Sequence, residues 1–239
     1  MEKPKEKNKK EMKISINKFL LIAILTVIIL VVIGIIIYSS NHKCSTSSTA
    51  ANGPIDYKPV IYLYPEETTE VSVELEKSEK LTCSYPKYKE EGWNIIAEPS
   101  GKLTDINTDR ELYCLYWEGL NTNKTNMNEG FVVEGKDTIE FLEEKLEILG
   151  LNQKEAQEFI IYWLPHMEDN KYNYIRFETI EEINENMPLE ITPLPNTIIR
   201  INMQWKALDK YIEVDEQKLE KAPERTGFTV VEWGGTKLN

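Results

Sequence analysis

Apolar and polar residues alternate through much of the chain after residue 57, and this pattern predicts a series of short strands. Residues 59–64 (PVIYLY) form a short apolar run, and residues 71–75 alternate like a strand with one buried face. Residues 81–85 and 93–97 repeat the alternation, with Pro or Gly close behind each. Residues 111–117 (ELYCLYW) are apolar on both faces, which predicts a central strand.

The apolar spacing changes to a helical period between residues 137 and 165. Apolar residues recur every three or four positions from Ile139 to Leu149, and Gly150 then provides a natural helix stop. A second helix is predicted to begin after Asn152 and to end at Pro165. The two segments together predict a helical hairpin that covers one face of the sheet.

The last third of the chain returns to strand periodicity. Residues 172–177 and 228–233 each predict a strand. Residues 199–206 alternate between large apolar and polar side chains, which predicts a strand with only its apolar face buried. The polar positions of this strand are Arg200, Asn202, Gln204 and Lys206.

An uninterrupted apolar segment at residues 19–38 predicts one membrane-spanning helix. Twenty residues without a charge cover roughly 30 Å as a helix, which matches the hydrocarbon core of a bilayer. Seven lysines precede this segment, so the positive-inside rule places residues 1–18 in the cytoplasm. A cleavable signal peptide is the alternative, but its apolar region is usually only about 7–15 residues long. We therefore expect an uncleaved signal anchor, with the lipid bilayer as the partner of residues 19–38.

These patterns divide the chain into four parts. A basic cytoplasmic tail (1–18) precedes the transmembrane helix (19–38), a flexible spacer of small polar residues (39–56) and an extracytoplasmic β-rich domain (57–239). The expected fold class is α+β, a mostly antiparallel sandwich or curved sheet with an inserted two-helix hairpin, preceded by one transmembrane helix. The expected location is the cell membrane, in a single pass, with the C-terminal domain outside.

The charge distribution argues against nucleic-acid binding. The whole chain carries a net charge of −12, and residues 1–18 carry +4 from seven lysines and three glutamates. Residues 19–239 therefore carry −16. A domain of this charge repels phosphate backbones, so we expect no nucleic-acid partner.

Several segments of the predicted domain resemble a widespread family of uncharacterised bacterial surface or secreted domains. They are KPVIYLYP (58–65), YPKY (85–88) with GW (92–93), LYWEG (115–119), GFVV (130–133), FIIYWLPHMEDNKYNYI (159–175), NTIIRINM (196–203) and GFTVVEWGG (227–235). The resemblance covers essentially all of residues 58–235. It implies a single domain outside the cytoplasm, and it assigns no activity and no catalytic residue.

Two glutamates beside tryptophans are the weak candidates for catalysis. Glu118 follows Trp117, and Glu232 precedes Trp233; each glutamate lies at the end of an apolar strand. Two carboxylates with aromatic platforms are typical of glycoside hydrolases, which predicts a hydrolase of envelope polysaccharide as an alternative function. The simpler interpretation is that the tryptophans belong to the core and that the glutamates accept backbone hydrogen bonds or pair with Arg200 or Lys206.

The remaining polar candidates give little support for chemistry. His166 is the one histidine of the predicted domain, and no G-x-S-x-G segment is present. Neither H-E-x-x-H nor C-x-x-C occurs, so we expect no metal site and no cofactor. Trp117, Trp233, His166 and Arg200 are kept as weak candidates for ligand binding.

The three cysteines leave two arrangements open. Cys83 and Cys114 lie in predicted strands, so they form a disulfide if those strands are neighbours, or else remain two separate buried thiols. Cys44 lies in the spacer.

The functional expectation is an interaction domain at the cell envelope rather than an enzyme. The layout of anchor, spacer and domain indicates display, and its partner is expected to be a cell-wall polymer or another envelope protein. A hydrolase using Glu118 and Glu232 and a structural part of an envelope assembly are the alternatives.

Overall fold

The computed structural model describes residues 54–123, 125 and 127–238. Its strands are β1 Ile55–Tyr64, β2 Thr69–Leu75, β3 Leu81–Tyr85, β4 Trp93–Ala97, β5 Leu103–Asp105, β6 Arg110–Leu112, β7 Leu115–Leu120, β8 Glu129–Glu134, β9 Tyr172–Phe177, β10 Leu189–Thr192, β11 Thr197–Leu208, β12 Asp215–Glu216 and β13 Thr229–Lys237. Its helices are α1 Thr138–Ile148, α2 Gln153–Met167 and α3 Ile180–Asn186, with short 3-10 turns at Ser78–Lys80 and Gly135–Asp137.

The strands form two sheets. The large sheet has the order β12-β8-β9-β11-β13-β1-β7-β3, and the small sheet has the order β10-β2-β4-β5-β6. Most pairs are antiparallel, but β11 runs parallel to β13 from Thr197 opposite Thr229 to Trp205 opposite Lys237. β12 also pairs with β8 in parallel. The large sheet is therefore mixed, and its centre is a parallel pair.

Two apolar cores lie on opposite faces of the large sheet. On one face, α1 and α2 pack over the sheet through a core that includes Phe159, Trp163 and Trp233. On the other face, the small sheet packs over β1, β7 and β13 through a second core that includes Ile95 and Trp117. Successive side chains of a strand point to opposite faces, so β1 and β13 supply both cores from alternate positions.

The helical hairpin follows the sequence prediction closely. α2 begins with a complete capping box, in which the Asn152 side chain accepts from the Glu155 N–H and the Glu155 carboxylate accepts from the Asn152 N–H. Gly150 between the helices has a φ of 90°, a conformation that favours glycine. The predicted end at Pro165 is wrong, because α2 continues through Pro165 to Met167.

The predicted fold class needs correction. The described residues hold a third helix besides the predicted hairpin, and the mostly antiparallel pairing includes two parallel pairs, β11 with β13 and β12 with β8. No helix in residues 54–123, 125 or 127–238 is long and apolar enough to cross a membrane. The predicted span, 19–38, lies outside the described residues, as do the tail and nearly all of the spacer. The part of the chain that is described is β-rich.

Two strand predictions also need correction, for reasons of long-range pairing. Residues 111–117 do not form one central strand; the chain leaves the small sheet after β6 and enters the large sheet at β7. β11 is buried on both faces along Ile199–Trp205, not only on its apolar face. Its neighbours β9 and β13 are far away in sequence, so a local pattern does not reveal that β11 is central.

Candidate functional site

Part of one face of the large sheet is polar and buried. On β11, Arg200, Asn202 and Gln204 alternate with apolar residues, and all three are less than 9% exposed. Glu178 after β9 and Glu232 on β13 are buried beside them. Buried polar groups are costly unless they are paired, so their arrangement is the first place to look for function.

Arg200 and Glu232 form a buried ion pair across the parallel strands β11 and β13. The two residues are direct neighbours in the strand register, and Arg200 Nε donates to Glu232 Oε2 at 2.6 Å. Their side chains are 1% and 4% exposed. The Trp117 indole N–H donates to the other oxygen, Glu232 Oε1, at 2.9 Å. Both carboxylate oxygens of Glu232 therefore hold a partner, and the tryptophan reports directly on the ion pair.

The Arg200 guanidinium retains unused hydrogen-bonding capacity. Its Nη1 donates to Asn184 Oδ1 at 2.7 Å, whereas its buried Nη2 has no hydrogen-bond partner among the described residues. An unsatisfied buried donor typically costs about 1–3 kcal/mol. Arg200 is thus held in place by two partners, and its unpartnered Nη2 is enclosed by the surrounding protein.

An open groove of about 390 Å³ includes Arg200 in its wall, and we call it the Arg200 groove. Its walls combine apolar side chains with two polar ones, from α3, the start of β10 and β11: Ile180, Asn184, Pro188, Leu189, Ile198 and Arg200. Ligand sites are typically concave and apolar with a few polar groups, at volumes of about 300–1,000 Å³. A hollow of about 360 Å³ near Pro193 and Phe228 has no unpartnered buried side chain along its described wall.

A network of amides and carboxylates continues from the ion pair under α3. Asp56 Oδ1 accepts from Asn121 Nδ2 at 2.8 Å, from Asn202 Nδ2 at 3.2 Å and from the Thr236 hydroxyl. Its Oδ2 accepts from Asn186 Nδ2 at 2.6 Å. The Asn202 amide also donates to Glu178 Oε2 at 2.7 Å and so joins two buried carboxylates.

Burial raises the pKa of Asp56 from its ordinary 3.8 to about 6. The neighbouring charge of Glu178 acts in the same direction, and the hydrogen bonds from Thr236, Asn121 and Asn202 oppose it. A small cavity of about 20 Å³ lies among Asp56, Glu178 and Glu232, which is room for about one water molecule. The network is therefore closed to larger ligands in this conformation.

The structure does not bring the predicted catalytic pair together. Trp117 and Glu118 are consecutive in β7, so their side chains point to opposite faces of the sheet. Glu232 lies on the face of Trp117. Glu118 lies on the helix side, where its Oε1 accepts from the Lys58 N–H at 3.4 Å and the Lys58 amine lies over the Tyr162 ring. Two carboxylates on opposite faces of a sheet cannot flank one glycosidic bond.

The other predicted binding residues divide between core and surface. All five tryptophans of the chain, including Trp117 and Trp233, are at most 3% exposed. Trp233 packs against Phe159 at a centroid distance of 5.3 Å, as a core residue does. His166 is exposed at the end of α2 and contacts the Trp205 ring. Arg200 alone among these candidates meets an open groove.

Cys83 and Cys114 are not joined to each other. Cys83 is disulfide-bonded, whereas Cys114 is a free thiol. The strand register explains why. Cys83 lies opposite Glu118 of β7, and Cys114 precedes Glu118 by four residues, which is roughly 13 Å along an extended chain. The chain's third cysteine, Cys44, lies outside the described residues.

We expect the two cysteines to differ sharply in alkylation. Burial raises the pKa of the Cys114 thiol to about 12, so at pH 8 its thiolate fraction is roughly a thousandfold lower than that of an exposed cysteine. Iodoacetamide should label Cys114 slowly in the folded protein and rapidly in denaturant, and it should label Cys83 only after reduction. Peptide mass mapping reads both sites, and labelling of Cys83 in denaturant without reductant would contradict the assignment.

Sequence reasoning missed most of the polar network. Asp56 fell in the predicted spacer, and Glu178 follows a predicted strand without an evident role. The helix α3 was also missed, although Thr179 and Glu182 form a complete capping box, a pattern that is visible in the sequence. The prediction that Glu232 pairs with Arg200 or Lys206 is confirmed for Arg200.

Within the described residues, no group of three or more His, Cys, Asp or Glu side chains is placed to hold a metal ion. The carboxylates Asp56, Glu178 and Glu232 accept hydrogen bonds from amides, the Thr236 hydroxyl, the Trp117 indole and Arg200.

Comparison with known proteins identifies a family without a known activity. No family model matches the chain, and no solved structure matches it. A Butyrivibrio fibrisolvens protein described as "Uncharacterized protein in bglA 3'region" is 41% identical over 78 residues, which cover 32% of this chain and 78% of that protein. The chain therefore belongs to the same family as this uncharacterised protein from Butyrivibrio fibrisolvens.

Proposed function

We propose that this protein is a binding domain that acts outside the cytoplasm and takes part of a partner molecule into the Arg200 groove. The observation that carries the proposal is the open groove of about 390 Å³, whose wall includes Arg200 and the partly uncovered apolar side chains of Ile180 and Ile198. A ligand that covers these side chains gains roughly 25 cal/mol for each Å² of apolar surface that it buries.

The lining of the groove favours recognition over chemistry. Arg200 is fixed through its Nε by Glu232 and through its Nη1 by Asn184, so it forms a rigid part of the wall. Binding sites usually combine apolar walls with a few polar groups that orient the ligand. The apolar walls here supply contact area, and the exposed Asn184 is the polar group that a ligand reaches.

Two further observations support the location and the class of partner. Disulfide bonds persist mainly in oxidising compartments, and Cys83 is disulfide-bonded. Sugar-binding sites usually expose aromatic rings for stacking, but all five tryptophans are buried and no aromatic side chain is among the residues that line the Arg200 groove. Another envelope protein is therefore a better-supported partner than a cell-wall polymer.

The proposal is tested by binding of the full-length protein to two immobilised probes. One probe is purified cell wall, and the other is a printed array of random twelve-residue peptides. We expect saturable binding to at least one probe, lost at least tenfold in Ile198→Lys, which places a charge in the groove. The matched control is Ile161→Lys, the same substitution at a residue 66% exposed on α2, and it should bind normally.

Two results would contradict the proposed function. One is the absence of saturable binding to either probe. The other is binding that Ile198→Lys and Ile161→Lys affect equally, because the site would then lie elsewhere on the molecule.

A further inference from the structure

The small sheet ends beside the Arg200 groove with an unpaired edge. β10 is the outermost strand of the small sheet and pairs with β2 on one side, from Leu189 opposite Leu75 to Thr192 opposite Ser72. No other strand of the described chain pairs with its outer side. Leu189, the first residue of β10, lines the groove. The free backbone groups of this edge are a template for another strand.

The large sheet extends beyond this edge and leaves apolar side chains uncovered. Ile198 on β11 is 37% exposed and Ile180 on α3 is 41% exposed, and both line the groove. By contrast, the side chains that β1 and β13 direct toward the small sheet, such as Ile61 and Val230, are fully buried beneath it. One more strand beside β10 would cover Ile198 in the same way.

We propose that the Arg200 groove takes an extended peptide segment of a partner protein, which adds a strand to the edge of β10. The peptide's apolar side chains cover Ile198 and Ile180, and its backbone pairs with the free edge of β10. Backbone hydrogen bonds supply affinity in this mode of recognition, and alternate side chains supply specificity. This inference rests on the proposed function and names the ligand class for the same site.

The charges around the groove select a neutral or basic peptide. The residues next to the groove's lining residues in sequence include three exposed glutamates, Glu181, Glu185 and Glu190. Arg200 is already neutralised by Glu232, so a ligand carboxylate would enter an acidic surface without a free countercharge. A neutral peptide covers the groove without burying an unpaired charge. Lysine or arginine side chains on the outer face of the peptide meet the glutamates of the rim.

The first experiment selects a displayed random ten-residue peptide library against the full-length protein. We expect the enriched sequences to alternate apolar with polar residues, to carry a net positive charge and to contain few Asp or Glu residues. Binding should fall at least tenfold in Ile198→Lys and stay unchanged in Ile161→Lys. Enrichment of acidic sequences, or no enrichment at all, would overturn the proposal.

The second experiment tests strand addition directly. The best peptide is synthesised in two forms, with N-methyl groups on its odd or on its even amides. Alternate N–H groups of a strand point to the same side, so one form loses the bonds to β10 and the other keeps them. We expect one form to bind at least tenfold more weakly and the other to bind within about threefold of the parent peptide.

The outcomes separate this inference from the proposed function. Equal effects of the two N-methylated forms would rule out strand addition, although binding that depends on Ile198 would leave the groove as the site. Ile198-dependent binding to cell wall without peptide enrichment would rule out the peptide and keep the groove. Peptide binding that is unchanged in Ile198→Lys would overturn both the peptide inference and the proposed function.

Discussion

Replacement of Arg200 by alanine is expected to lower the free energy of unfolding by about 3–5 kcal/mol. The change leaves the Glu232 carboxylate buried with only the Trp117 N–H as a partner, and loss of one member of a buried ion pair typically costs this much. Chemical denaturation of the full-length protein at pH 7 measures the effect, with the intrinsic fluorescence of the tryptophans as the signal.

Two comparison variants make this prediction specific to burial. Lys102 pairs with Glu98 at 2.8 Å, but the side chains are 42% and 35% exposed, so Lys102→Ala should change the stability far less than Arg200→Ala. The double variant Arg200→Met/Glu232→Gln leaves no unpaired charge and retains an acceptor for Trp117, so it should be more stable than Arg200→Ala. Equal costs for the buried and the exposed pair would contradict the assignment of Arg200.

The stability of the protein should also depend on the protonation of Asp56. Its pKa is about 6 in the folded protein and about 3.8 when it is exposed, because burial disfavours the charged form. The folded state therefore binds the proton more tightly, and the contribution of Asp56 to stability is fully present below pH 3.8. It is lost as the pH rises to 6, by about 3 kcal/mol in total.

The difference between wild type and Asp56→Asn isolates this effect from all other titrating groups. Asparagine does not titrate, so the unfolding free energy of wild type minus that of Asp56→Asn should fall by about 3 kcal/mol between pH 4 and pH 7. Carbon NMR of the Asp56 carboxyl should give a midpoint near pH 6. If this difference in unfolding free energy stays constant or rises with pH, the folded state does not favour protonated Asp56.

The local parts of the fold are predictable from the sequence because they depend on neighbours along the chain. The helical period of residues 139–149 and the Asn152–Glu155 capping box predict the hairpin with its correct start. Several strands follow in the same way from alternation. The helix α3 was predictable too, because Thr179 and Glu182 carry the same capping signal, but it spans only seven residues and has no long apolar period.

The candidate site was less predictable because it depends on which strands become neighbours. The alternation at Arg200, Asn202 and Gln204 is typical of a strand with a solvated face, and nothing local shows that α3 and the small sheet border this face. The pairing of Arg200 with Glu232 was among the expected alternatives, since oppositely charged residues on strands tend to pair. The contribution of Asp56, 146 residues before Asn202, requires the folded structure.

Proton NMR of the Trp117 indole is the most direct test that ligands bind beside Arg200. The Trp117 N–H donates to the carboxylate that holds Arg200, so a peptide bound against the wall that contains Arg200 should shift this signal during titration with the best selected peptide. The other four indole signals should move less, and Trp117→Phe assigns the resonance. A saturable shift of the Trp117 signal that disappears in Ile198→Lys is the result we predict. Saturable peptide binding that leaves the Trp117 signal unmoved would contradict the Arg200 groove as the binding site.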